Sequence, residues 1–191
     1  MLLWALLLIA VAIGLYAIII FNSLVRTRQM ANEAWSGIDV QLKRRSDLVP
    51  NLVEIVKGYA GHERSVLEDV TRLRGVARAL PVDDVANRAQ AESALSLALG
   101  KLVALAENYP DLKASGNFLE LQQELSQLET ELQMARRYYN GAVRNQNVLV
   151  QSFPSNLIAG LFGFGQRQYF EISDADRAVP EVALQPSPPA R

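Results

Sequence analysis

The chain has 191 residues, half of them hydrophobic, with a formal net charge of −1, one histidine and no cysteine. A near-neutral balance gives no global case for nucleic-acid binding. The missing cysteines exclude disulfides, thiolate catalysis, cysteine-ligated metals and lipid attachment to cysteine.

From Leu2 to Phe21 the sequence reads LLWALLLIAVAIGLYAIIIF, without a charge. A bilayer's hydrocarbon core is ~30 Å thick and takes about 20 apolar residues of helix to cross. The run therefore predicts a membrane anchor over residues 1–22. Leu2 opens it, Trp4 stands near one end, and Tyr16 and Phe21 lie toward the other, where amphipathic rings settle. A cleaved signal peptide would need a basic leader and a shorter apolar stretch. A core helix is rarely apolar on every face for this length. Ala10 and Gly14 form a small-xxx-small pair, a weak signal for close packing of two anchors. The basic residues Arg26, Arg28, Lys43, Arg44 and Arg45 follow the anchor. Basic flanks favour the cytoplasmic side, so the expected topology is single-pass in the plasma (inner) membrane, N-terminus out and the bulk of the chain in the cytoplasm.

Past Leu24 the pattern becomes striped. Leu24, Ala31, Ala34 or Trp35, Ile38 and Leu42 recur every three or four residues, as on an amphipathic helix continuous with the anchor. Pro50 then predicts an interruption near Asp47–Pro50, because proline lacks the amide donor and clashes with the preceding turn. A second stripe runs from Val53 through Val56, Ala60, Leu67, Val70, Leu73 and Ala77 to Leu80, ahead of Pro81. A third starts near Asp83 or Asp84, where acidic residues suit a helix N-terminus, and stops at Tyr109-Pro110. The fourth is the cleanest. From Phe118 to Phe153, ten steps through Leu121, Leu125, Leu128, Leu132, Ala135, Tyr139, Ala142, Gln146 and Leu149 cover 35 residues. A repeat near 3.5 implies left-handed, coiled-coil-like packing. Gln146, the polar intruder, reads as a partly exposed residue near the helix end.

Helix lengths favour an all-α fold in which the anchor leads into an antiparallel four-helix bundle over residues 23–172, with a reversal at Asp47–Pro50. The alternative is a three-helix bundle with a long, kinked first helix. In the four-helix arrangement the last helix returns toward the membrane. It then delivers the segment with Phe153, Pro154, Leu157, Ile158, Phe162 and Phe164 to the bilayer surface. This segment either caps the core or inserts into the interface. Capping is the simpler expectation, because exposed apolar patches are rare without a partner. The proline-rich tail over residues 173–191 is expected to be disordered.

No catalytic or cofactor constellation emerges. His62 is a solvated helix residue on this reading, and a lone histidine without cysteine makes no usual zinc site. Gly160, Gly163 and Gly165 lack the strand-to-helix context of a phosphate loop. Glu120, Glu124, Glu129 and Glu131 avoid the apolar stripe and read as a solvated face, without the Glu-x-x-His pairs of di-iron bundles. Arg26 and Arg28 lie within ~10 Å of the anchor's end, in reach of anionic headgroups. Lys43, Arg44 and Arg45 lie ~33 Å from the anchor's end; such a cluster is ordinarily solvated or paired with nearby Asp and Glu, and the sharper reading is a docking patch for an acidic protein partner.

The stretch EAWSGIDVQLKRRSDLVPNLVE from Glu33 to Glu54 resembles the LemA family of bacterial membrane-anchored helical proteins. So do VKGYA from Val56, His62-Glu63, YPDLK from Tyr109, Asn117-Phe118, RRYYN from Arg136 and FPSN from Phe153. These blocks keep family order across residues 20–172. The resemblance implies one N-terminal membrane helix, a cytoplasmic four-helix bundle, no established catalytic activity and no known cofactor. One relative takes part in magnetosome membrane formation, which points to membrane organisation. Phe21 stands where the family often has Tyr, and Gly165 where Lys is common. The expected role is a non-enzymatic scaffold that self-associates or recruits an unidentified protein, touching membrane lipid but no nucleic acid or small-molecule substrate. The competing role is a signalling adaptor or sensor coupled to a membrane partner.

Overall fold

A computed structural model describes residues 1–171 and is helical, with no strand among them. The expected tail over residues 173–191 lies outside the described residues. Six helices follow in order: α1 Leu2–Tyr59, α2 Arg64–Ala79, α3 Val85–Ala106, the single turn α4 Pro110–Lys113, α5 Gly116–Gln151 and α6 Ser155–Leu161.

The main departure from the sequence reading is α1, one helix of 58 residues with Pro50 inside it. At 1.5 Å per residue it extends ~87 Å. No reversal occurs at Asp47–Pro50; the chain turns instead at Ala60–Glu63. His62 sits exposed in that turn rather than on a helix. The helix survives its proline because the damage is repaired from outside. Proline at position 50 leaves the carbonyl four residues back, that of Ser46, without its amide donor. Arg74 of α2 supplies one, its Nε donating to the Ser46 carbonyl at 2.6 Å.

α2 returns along α1, α3 runs parallel to α1, and α5 is antiparallel to it. Their apolar faces meet in a distal core of Leu48, Val49, Leu52 and Val56 from α1, Leu67 and Val70 from α2, Leu95, Leu99 and Leu102 from α3, and Phe118, Leu125 and Leu128 from α5. A second cluster continues toward the anchor, pairing Ala31, Ala34, Ile38 and Leu42 with Leu132, Tyr139, Ala142 and Val143, and adding Phe170. The third, at the anchor's end, joins Ile20 and Leu24 to Ala159 and Phe164. The stripe on α1 is thus covered from Ile20 to Val56, but by different means along its length. α3 begins where Asp84 caps it, accepting from the Asn87 amide at 3.2 Å. Beyond that point toward the anchor, neither α2 nor α3 is present, and α5, α6 and residues 164–170 cover α1.

Candidate functional site: the end beside the apolar span

α5 runs back toward the apolar span and ends at Gln151, and α6 lies against the end of that span. Ser155 and Ala159, one turn apart, are buried. Phe21, the last residue of the apolar run, meets the Phe162 ring at 4.8 Å and the Phe164 ring at 5.8 Å, both edge-on. The Arg28 guanidinium lies 5.0 Å from the Phe164 ring centroid, a cation–π contact. After α6 the chain reverses at Gly163, whose φ of +70° is open to glycine without a Cβ penalty.

Residues 165–170 then run extended along α5, away from the anchor, as a strap fastened by side-chain amides. Asn147 grips residue 167 by both its backbone groups: Nδ2 donates to the Arg167 carbonyl at 2.9 Å and Oδ1 accepts from its amide at 2.8 Å. Asn140 grips Phe170 the same way, at 3.2 and 2.9 Å. The two asparagines are two helical turns apart, ~10 Å, which is the reach of three extended residues. Register follows from that match. Gln146 Nε2 donates to the Gly165 carbonyl at 3.3 Å, and Tyr139 Oη to the Gln168 carbonyl at 3.0 Å. Gln146 is 2% exposed, so its polar intrusion into the stripe serves the strap and is no solvated helix end. Burial pushes the Tyr139 phenol upward, opposed by the nearby Arg167 charge.

The strap ends on Trp35. Phe170 packs edge-on against the Trp35 ring at 5.5 Å, Tyr139 lies 5.2 Å from it, and the indole Nε1 donates to the Val82 carbonyl at 2.8 Å. Arg88 stacks over Trp35 and pairs with Asp39 at 2.7 Å, while Arg136 stacks over Phe170. One indole therefore ties together α1, the α2–α3 connection, α5 and the strap.

The expected basic patch divides. Lys43 and Arg44 are exposed, and Arg44 pairs with Glu131 at 3.0 Å. Arg45 is 1% exposed and is no surface residue. It projects between α3 and α5, where it bonds the Glu92 carboxylate, Glu129 Oε1 at 2.6 Å, Ser96 Oγ at 2.6 Å and the Glu92 carbonyl at 3.2 Å. Burial opposes its charge, but Glu129 and Glu92 more than compensate and hold its pKa above the ordinary guanidinium value. Glu129, expected on the solvated face, is half-buried in this cluster; Glu120 and Glu124 are exposed.

The remaining expected residues fall as follows. Leu2, Trp4, Gly14 and Tyr16 stand on the lone, uncovered part of α1, and no atom beyond the helix's own backbone lies within 4 Å of a Cβ built on Gly14. Arg26 is exposed one turn beyond the anchor. Of the aromatic segment, Phe164 is buried and Pro154 half-buried, whereas Phe153, Leu157 and Phe162 are exposed. It caps the core with one face only. Apolar periodicity gives no structural part to Asn140, Asn147 or Glu92; two asparagines seven apart on one helix are the visible signal. Among the described residues, no group of three His, Cys, Asp or Glu is placed to hold a metal ion.

With this geometry in view, the chain is similar to known proteins over most of its length. The profile of the LemA family matches residues 34–184. Protein LemA of Metamycoplasma hominis is 28% identical over 156 residues, covering 82% of this chain and 71% of the relative. Magnetosome protein MamQ 2 of Paramagnetospirillum magneticum is 24% identical over 176 residues, and magnetosome protein MamQ of Magnetospirillum gryphiswaldense 23% over 175. The chain spans 64% of the length of each of these magnetosome proteins.

Proposed function

The chain belongs to the LemA family, and on that premise we propose that it is a non-catalytic scaffold, tethered to a bilayer by α1, that self-associates or recruits partners to organise membrane or protein complexes. The observation that carries this reading is the continuity of α1. One helix passes from an uncharged apolar run into the bundle core without a hinge, so any load on the bundle is felt by the anchor. A catalyst needs only to be held near its substrate, whereas a rigid coupling suits a part that positions other molecules. The magnetosome names of two relatives lend support to a membrane-organising role. In this reading the anchor sits in the inner membrane with the bundle in the cytoplasm, Arg26 and Arg28 face anionic headgroups, and Lys43 with Arg44 offers a cationic docking edge. Crosslinking in native membranes, with proximity labelling from the bundle, tests it. The expected result is capture of a second copy or a reproducible partner, weakened by Lys43→Glu with Arg44→Glu. A chain that remains a monomer and captures nothing contradicts the proposal.

A further inference from the structure

We propose that the outer face of α6 is a second membrane contact, seated in the bilayer interface beside the anchor; this rests on reading Leu2–Phe21 as a membrane span. Four observations converge on it. First, α6 has two faces. Ser155 and Ala159 are buried, while Leu157 and Leu161, also one turn apart, point the opposite way. Second, outside the anchor the four most exposed large apolar side chains among the described residues are Phe153 at 80%, Leu161 at 76%, Leu157 at 61% and Phe162 at 56%. All lie within ten consecutive residues. Exposed apolar residues elsewhere on the bundle are scattered over different helices, whereas a contiguous patch marks an interaction surface.

Third, the level is right. α6 packs on Ile20 and Leu24, with Phe21 and Val25 beside them, and so sits within about one helical turn, ~5 Å, of the end of the apolar span. The headgroup layer is about 5–8 Å deep on each side of the hydrocarbon core. Interfacial helices bury their apolar face ~5–10 Å into this zone. Fourth, residues 145–166 contain no Asp, Glu, Lys or Arg, a run of 22 with no charge to desolvate. Charge resumes at Arg167, on the strap that leads away from the anchor, and Arg28, one turn past Leu24, stands beside the segment through its contact with Phe164. The exposed face of α6 is thus continuous with the apolar surface of α1. With lipid as its occupant, the chain touches the bilayer at two places, and the bundle's rotation about the anchor axis is fixed.

The cysteine-free chain allows single spin labels at will. Full-length Leu157→Cys and Leu161→Cys proteins, reconstituted in vesicles of phosphatidylcholine and phosphatidylglycerol, are compared with Ile13→Cys in the anchor and Lys43→Cys on the bundle. These positions are exposed, so the fold tolerates the labels, which circular dichroism verifies. Collision with oxygen, concentrated in the acyl region, and with a water-confined nickel chelate is read from power saturation. The proposal expects nickel access at 157 and 161 several-fold below that at 43, with oxygen access approaching that at 13. Nickel access equal to that at 43, while 13 remains lipid-exposed, overturns the proposal and leaves the anchor intact. Nickel access at 13 removes the anchor and the proposal together. Shielding of 157 and 161 from both reagents overturns it as well. Spin–spin broadening, relieved by dilution with unlabelled protein, would then identify a second copy as the cover.

Discussion

The two halves of the helical body solve one problem by different means. In the distal half, the α1 stripe is covered by α2, α3 and the start of α5, and cohesion comes from leucine and valine packed at helical spacing. In the proximal half α5 accompanies α1 throughout, α3 reaches only its edge through Val85 and Ala89, and α6 and an extended strap stand in for the missing helices. There, cohesion comes from side-chain amides gripping backbone. An extended segment has no internal hydrogen bonds, so its buried N–H and C=O groups need partners, and Asn140, Gln146 and Asn147 provide them. Apolar periodicity describes the first solution and is blind to the second.

The difference can be broken at either end. The largest effect is expected at Arg45, where the distal core encloses a charge. Arg45→Ala leaves Glu92 buried without its partner and should cost about 3–5 kcal/mol. Urea unfolding of the detergent-solubilised chain measures it. Replacing Arg45, Glu92 and Glu129 together by Met should recover most of the loss, because the carboxylates that need the cation are gone. Next comes Leu102→Ala at a fully buried distal position, expected to cost ~2–5 kcal/mol and to lower the urea midpoint without releasing the strap.

Asn147→Ala should act only on the proximal half. It strips residue 167 of two bonds, at ~1–3 kcal/mol for the groups left unpaired. Hydrogen exchange should quicken across residues 165–170 while amides of the distal core keep their protection. Equal quickening in both halves would mean that they are one cooperative unit. The smallest effect is expected at Tyr139. Tyr139→Phe removes the bond to the Gln168 carbonyl, worth ~0.5–1.5 kcal/mol. It should also change the pH dependence. Burial, partly countered by Arg167, raises the folded phenol above its unfolded value near 10. Its contribution is therefore complete below pH 10 and is lost as pH climbs through the folded pKa. Thermal melts should show a steeper alkaline decline for the parent chain than for Tyr139→Phe.

What was legible in the sequence follows the same division. The stripe from Phe118 to Leu149 announces α5, and the uncharged run Leu2–Phe21 announces the first third of α1. Pro50 misleads because its cost is local and its remedy, Arg74, comes from another helix. Arg45 closes a basic run after Lys43 and Arg44, which leaves open whether it docks a partner or pairs with nearby carboxylates; only the inward Glu92 and Glu129 reveal its direction. Gln146 and the two asparagines look like ordinary polar helix residues until the strap is laid over them. The segment around α6 was legible as aromatic and glycine-rich, and its return to the anchor's end followed from the expected antiparallel order; which of its residues face outward was not, because its period is irregular.

The account stands on the leading helix being embedded in lipid. Membrane vesicles bearing the full-length chain, washed with alkaline carbonate, test this directly. Retention in the pellet is predicted, with release when residues 2–21 are deleted. Recovery of the intact chain in the supernatant would contradict it.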